Sequence, residues 1–229
     1  MQRTIWGYAE GELYPLRLFV NLNRVGGLVL GAFAPPGKLI GFTASMPAWR
    51  GEKRYYHSLA LGVLPEYQDR GVGKALKWEQ RRRALRAGIE RIEWTFDPMR
   101  AKNALFNLEK LGVVVRQYIP DYYGAVKSRL QQRMPSDRLI CEWDLRSARV
   151  RRAAKRLSPR RQARRPAAML PIPLDFEAIA AERPDEAETL QRVIRKELQL
   201  HLRRGLIITG FLIEGSNCAY LLDRDRRAG

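Results

Sequence analysis

Apolar residues along this chain collect in short blocks, and the spacing within each block changes character from one to the next. In PLRLFVNLN (15–23) they recur at helical intervals, which predicts a short amphipathic helix. GLVLGAF (27–33) and KLIGFTASMPA (38–48) read as strands, and the PPGK turn between them predicts a hairpin. RYYHSLALGVL (54–64) is a third strand, rich in aromatic and apolar residues. From Val72 to about Ala87 the chain reads as helix, with Val72, Ala75, Leu76, Ala84 and Leu85 on the apolar side and Gly88 as its stop. The Arg81-Arg82-Arg83 run blurs that period. RIEWTF (91–96) is the next strand, RAKNALFNLEKLG (100–112) a helix, and VVVRQYI (113–119) and RLICEWDL (138–145) two more strands.

A strand–helix–strand unit needs a crossover and a parallel pairing, whereas the early hairpin is antiparallel. The first 145 residues therefore predict an α/β fold with a mixed sheet. Further on, AMLPIPLDF (168–176) reads as a strand and DEAETLQRVIRKELQLHLRRG (185–205) as a helix with Leu190, Val193, Ile194, Leu198 and Leu202 on one face. LIITGFLI and CAYLLDR form a hairpin across Glu214–Asn217. Residues 167–229 are few for an independent core, so this small α+β extension is expected to dock on the first domain.

Composition changes this picture in one place. The net charge of +18 is uneven: RSARVRRAAKRLSPRRQARRP (146–166) holds ten Arg or Lys and no acid. Like charges at that density repel, which predicts a solvated linker between domains 1–145 and 167–229. An anionic partner such as nucleic acid is the alternative reading of the same stretch, although it lacks the aromatic residues that stack on bases. No apolar run is long enough for a membrane span. The opening residues carry no secretion signal pattern, so a cytoplasmic protein is expected. The two cysteines, Cys141 and Cys218, lack metal-ligand spacing; they read as reduced and structural, with no metal.

The candidate chemistry starts at YQDRGVGKAL (67–76), where two glycines stand at a helix start. Backbone N–H groups there are unsatisfied and the helix dipole adds partial positive charge. Glycine lets a phosphate approach them, and Arg70 and Lys74 add formal charge. A tight turn without ligand is the plainer alternative. A P-loop would need Ser or Thr after the Lys, but Ala75 follows Lys74. A dinucleotide fingerprint would need a third glycine where Leu76 stands.

The order strand, Gln68-Asp69-Arg70-Gly71-Val72-Gly73-Lys74, helix, GIERIEWTF, helix and EKLG resembles the GNAT acyltransferase superfamily, whose pyrophosphate loop runs Q/R-x-x-G-x-G/A. The resemblance covers roughly residues 1–145. The TFDP and NLEKLG segments further resemble predicted GNAT acetyltransferases of unsettled substrate that carry a C-terminal extension. It implies a mixed, mostly antiparallel central sheet whose central strands, 54–64 and 91–96, splay to admit CoA. Leu61, Gly62 and Val63 would pair with the pantetheine arm, residues 69–74 would hold the pyrophosphate, and Asn107 would face CoA or the acceptor. Acetyl-CoA, or another acyl-CoA, would be the co-substrate, and a primary amine of a small molecule the acceptor. Succinyl-CoA with an amino-acid acceptor is the variant, and a homodimer stays open.

Direct acyl transfer needs a base for the amine and an acid for the thiolate. In one branch of these enzymes a Glu lies fourteen residues before the first loop glycine; here that position is His57. A neutral imidazole can act as base at neutral pH, or His57 simply points into the sheet. The Tyr that many relatives carry in the last helix is replaced by Leu108. Asn103, Tyr123 and neighbouring Tyr118 and Tyr122 are the polar groups left for that end of the reaction. Asp97 and Arg100 would meet an amine and a carboxylate, with an N-cap by Asp97 as the alternative. The family's usual first strand has no counterpart before residue 15, and AMLPIPLDF is a candidate replacement.

Overall fold

The computed structural model describes residues 1–124, 134–155 and 165–225. They form a mixed α/β fold in two compact units. The first is Met1–Trp94 with Asp144–Arg146, and the second holds the other described residues from Thr95 onward. The division thus falls near Trp94, not at the expected 145/146 boundary.

The first unit opens with helices α1 (Gln2–Trp6) and α2 (Leu16–Arg24). Strands β1 (Leu28–Ala34), β2 (Lys38–Arg50) and β3 (Lys53–Val63) follow as an antiparallel meander. In β2–β3, Ala44 pairs with Ala60 but Ser45 pairs with Ser58, so Leu59 is an extra residue in a bulge. Such a bulge bends and twists its strand. Helix α3 (Val72–Arg86) then crosses to β4 (Arg91–Phe96), which pairs in parallel with β3 at Tyr56↔Ile92 and His57↔Glu93. The pairing spans those two positions, and β3 runs on past them to Val63. This matches the expected crossover and the splay of the two strands. Phe42, Tyr56, Leu76, Ala84 and Ile92 are buried in the core of this unit.

The second unit contains α4, helical over Ala101–Ala104 and widening to π-helical turns over Leu105–Leu111. β5 (Val114–Ile119), β6 (Arg138–Asp144) and α5 (Ala148–Ala154) follow. Then come β7 (Ala168–Pro173), α6 (Phe176–Glu182), α7 (Pro184–Arg203), β8 (Leu206–Glu214) and β9 (Asn217–Arg224). β5 is antiparallel to β6 and to β8, β8 to β9, and β9 to β7. Residues 167–229, expected to dock on the first domain, lie in this unit, and their strands continue from β5.

Three further expectations change. The basic stretch is not a solvated arm throughout: Ser147 caps α5, its Oγ accepting from the Val150 N–H at 3.3 Å, and Val150 and Ala153 are buried. A helix with one apolar edge tolerates many arginines on its other faces. Residues 156–164 of that stretch lie outside the described ones. AMLPIPLDF ends as a strand at Pro173, and Phe176 starts a helix. That strand pairs with β9 and so does not replace the missing strand beside β1.

Candidate functional site

The two loop glycines have different reasons to be there. A short 3₁₀ turn (Pro65–Tyr67) leaves β3, and the chain reverses through two left-handed residues, Asp69 (φ 59°) and Gly71 (φ 83°). Gly71 is thus required by backbone conformation. Gly73 has no such φ, and an added Cβ would meet only Val63 Cγ2 at 3.7 Å and Leu61 Cδ2 at 3.8 Å, ordinary contacts. Neither conformation nor packing of this protein demands glycine at 73. No side chain caps α3, whose first N–H groups belong to Val72, Gly73 and Lys74. Arg70 lies over the Tyr67 ring, 5.6 Å from its centre, and the Gln68 side chain donates to the Val63 carbonyl at 3.1 Å, tying the loop to β3. Gly62 is filled from elsewhere: a Cβ there would stand 2.9 Å from Ile5 of α1.

His57 is half-buried on β3, opposite Glu93 of β4. The Glu93 carboxylate is itself buried and held by Arg50 through two bonds of 3.1 and 2.9 Å. Burial, and then the nearby Lys77 charge, push the imidazole pKa below its usual value, so His57 is neutral at neutral pH. Lys77 is the larger surprise. Its ammonium is buried between α3 and the sheet, 3.6 Å from the centre of the Trp94 ring, and donates to Ser58 Oγ (3.1 Å) and Gln80 Oε1 (3.0 Å). The Gln80 amide in turn donates to Ser45, Ser58 and Thr43 at 2.6–3.2 Å. Sequence reading passed over Lys77 and Gln80. Their spacing to Ala84 was the available signal, masked by the arginine run that follows.

In the second unit, Asp97 and Arg100 do meet, with Asp97 Oδ2 and Arg100 Nε 3.7 Å apart. Asp97 is not a helix cap: its Oδ1 accepts from the Met99 N–H at 2.8 Å, a local turn, and Arg100 holds the N-cap position of α4. Burial raises the Asp97 pKa above the usual carboxylate value, against the pull of the Met99 N–H, Arg138 and Arg100. Arg100 also donates to Glu177 of α6. The Tyr123 hydroxyl lies 3.0 Å from Thr95 Oγ1, and the Arg138 guanidinium sits 5.0 Å from the centre of its ring. Asn103 is exposed on α4 and Asn107 is buried in the π-helical part, its carbonyl accepting from the Val113 N–H at 3.1 Å. Tyr118 donates to the buried Asp137, and burial and that carboxylate drive its pKa far up, so its proton is committed to Asp137. Among the described residues no cluster of His, Cys, Asp and Glu could hold a metal, and no helix is long and apolar enough to cross a membrane. Cys141 and Cys218 are both buried, and neither forms a disulfide among the described residues.

A strand, a reversing glycine turn and a helix with open N–H groups define a class of anion-holding fold. Residues 3–112 match the model of the acetyltransferase (GNAT) family. Residues 3–112, just under half of the chain, carry a domain of this family, whose enzymes transfer an acyl group from CoA. No curated protein matches the sequence. Chaetomium thermophilum Naa20, solved in complex with a bisubstrate analogue, is similar at 20% identity, over 66% of this chain and 81% of that one, with a TM-score of 0.49. Arabidopsis thaliana NAA60 with acetyl-CoA is similar at 17% identity, over 57% and 84%, with a TM-score of 0.46. An IAA acetyltransferase from Bacillus cereus is similar at 17% identity, over 57% and 85%, with a TM-score of 0.43.

Proposed function

We propose that the chain transfers an acyl group from CoA directly to the primary amine of a small molecule, with acetyl-CoA as donor. The observation that carries this reading is Gly73, a glycine that neither the backbone conformation nor the packing of the chain requires, beside uncapped N–H groups at the start of α3. The N–H groups of residues 69–74 would receive the CoA pyrophosphate, with Arg70 and Lys74 adding charge. Leu61, Gly62 and Val63, on β3 beyond its pairing with β4, would hold the pantetheine arm. His57, kept neutral, would take the amine proton as nitrogen attacks the thioester carbon, and the CoA thiolate would leave when the tetrahedral intermediate collapses. Tyr123 and Asn103 are the polar groups proposed for the leaving-group end.

One observation favours a second reading, an amino-acid N-succinyltransferase using succinyl-CoA. Asp97, Arg100 and Arg138 place one carboxylate and two guanidinium groups near each other in the second unit, as an ammonium and carboxylates would require. Calorimetric titration with acetyl-CoA, succinyl-CoA and free CoA tests both. Micromolar binding that Gly73→Asp abolishes is the expected result, and the tighter acyl-CoA selects the donor. A Gly73→Asp protein that binds as wild type removes the loop from the site.

A further inference from the structure

The end of β3 remote from the glycine loop carries a second feature. β3 has 11 residues, so roughly 35 Å of strand at about 3.3 Å per residue separates its two ends. At this far end the β2–β3 hairpin borders a groove lined by Val25, Ala48, Trp49, Arg54, Tyr55 and Ile89. Trp49 is 64% exposed and Val25 65%. A large aromatic ring left in water on a hairpin contributes little to the core.

The charges around this groove are as telling. Arg24 ends α2 beside Val25, Lys53 and Arg54 open β3, and Arg86 ends α3 beside Ala87, another lining residue. All four side chains are exposed, and among the described residues none of them forms an ion pair. Arg50, on the same hairpin, shows the contrast, since Glu93 engages it fully. Glu52, exposed in the hairpin turn beside Lys53, offsets at most one of these charges, and cations held in no ion pair repel one another until a polyanion arrives.

We propose that this groove binds single-stranded nucleic acid, with phosphates on Arg24, Lys53, Arg54 and Arg86 and an unstacked base on Trp49. A duplex buries its base faces and has nothing to offer the indole. An acidic peptide matches the charge but not the flat ring. The surface differs from the basic 146–166 stretch, which has no aromatic residue.

Fluorescence anisotropy of the full chain with a labelled single-stranded oligonucleotide and its duplex tests this. The single strand is expected to bind more tightly. Trp49→Ala should weaken it about tenfold, as loss of one stacked base predicts, while Trp49→Phe keeps most of the affinity. The triple variant Arg24→Ala/Arg54→Ala/Arg86→Ala should flatten the slope of log affinity against log salt by about 2. CoA binding should be unchanged in all of them. Absence of binding, a preference for duplex, or affinity that survives these variants but falls with Arg160→Ala/Arg161→Ala would overturn the proposal. So would a glutamate-rich peptide or anionic vesicle binding the groove more tightly than the oligonucleotide.

Discussion

Two buried charges, Lys77 in the first unit and Asp137 in the second, are met in opposite ways. In the first, Lys77 is a buried cation among neutral acceptors, Ser58 and Gln80, with the face of Trp94 against it. In the second, the buried Asp137 carboxylate receives both Nε and Nη2 of Arg195 at 2.8 Å, the Asp121 N–H at 3.0 Å and the Tyr118 hydroxyl. Arg116 is likewise shared between Glu142 (2.7 Å) and Asp225. These charges of the second unit close on one another, as Glu93 and Arg50 do in the first, whereas Arg149 Nε and Arg152 Nε of the second are buried without a hydrogen-bond partner. In the first unit the start of α3 presents backbone donors with no side-chain cap. Backbone donors that no side chain caps are open to a ligand, and the candidate anion site lies there.

Removing Asp137 breaks the second pattern most severely. Asp137→Ala leaves a guanidinium and a phenol without their acceptor and should cost about 3–5 kcal/mol, read by urea denaturation. Double substitution with Arg195→Met should recover a large part of it, because no unpaired charge then stays behind.

Lys77 should respond more mildly to loss of charge than to loss of volume. Lys77→Met keeps the packing against Trp94 and should change stability by about 1 kcal/mol or less, while Lys77→Ala, which leaves a cavity, should cost about 2–4 kcal/mol. Equal losses in both variants would mean that the ammonium itself, not its stem, holds α3 on the sheet. Lys77→Met should also raise the His57 pKa, read by NMR titration of the imidazole.

At the loop, Gly71→Ala should cost about 1 kcal/mol through its left-handed conformation, whereas Gly73→Ala should leave the melting temperature nearly unchanged. If Gly73→Ala destabilises as much as Gly71→Ala, the protein itself requires that glycine and the argument for an outside group fails.

The smallest effects are opposite in sign between the units. His57 has a lowered pKa when folded, so the unfolded chain binds its proton more readily. Its contribution is intact above the ordinary imidazole pKa, about 6.5, and is lost as pH falls below it. Asp97 has a raised pKa when folded, so its contribution is full below the ordinary carboxylate pKa and is lost as pH rises through the folded value. Thermal melts from pH 8 to 3 should show His57→Gln reducing the acid sensitivity and Asp97→Asn reducing the loss on raising pH above the carboxylate range.

Periodicity and turn chemistry made most elements legible: the strands at 27–33, 38–48 and 54–64, the crossover helix, and the stop at Gly112 all appear. α5 was hidden because charge density outweighed two apolar positions, Val150 and Ala153, one helical turn apart. α6 was hidden behind a proline-spaced apolar run that reads as strand. The candidate site was legible only where local sequence creates it, at the glycine loop. Lys77, Arg138 and Glu177 entered only with the fold, since each acts on residues distant in the chain.

What the amino-acid sequence determined alone is local: where glycine reverses the chain, where a helix begins with bare N–H groups, and which faces are apolar. Those follow from backbone sterics and spacing, which need no distant partner. Only the tertiary structure decided the rest. It set which charges are closed by partners and which stay open. It placed Lys77 close enough to act on the His57 imidazole, and it grew the C-terminal strands from β5. Burial and Coulomb interactions depend on distances in space, and those exist only once the chain has folded.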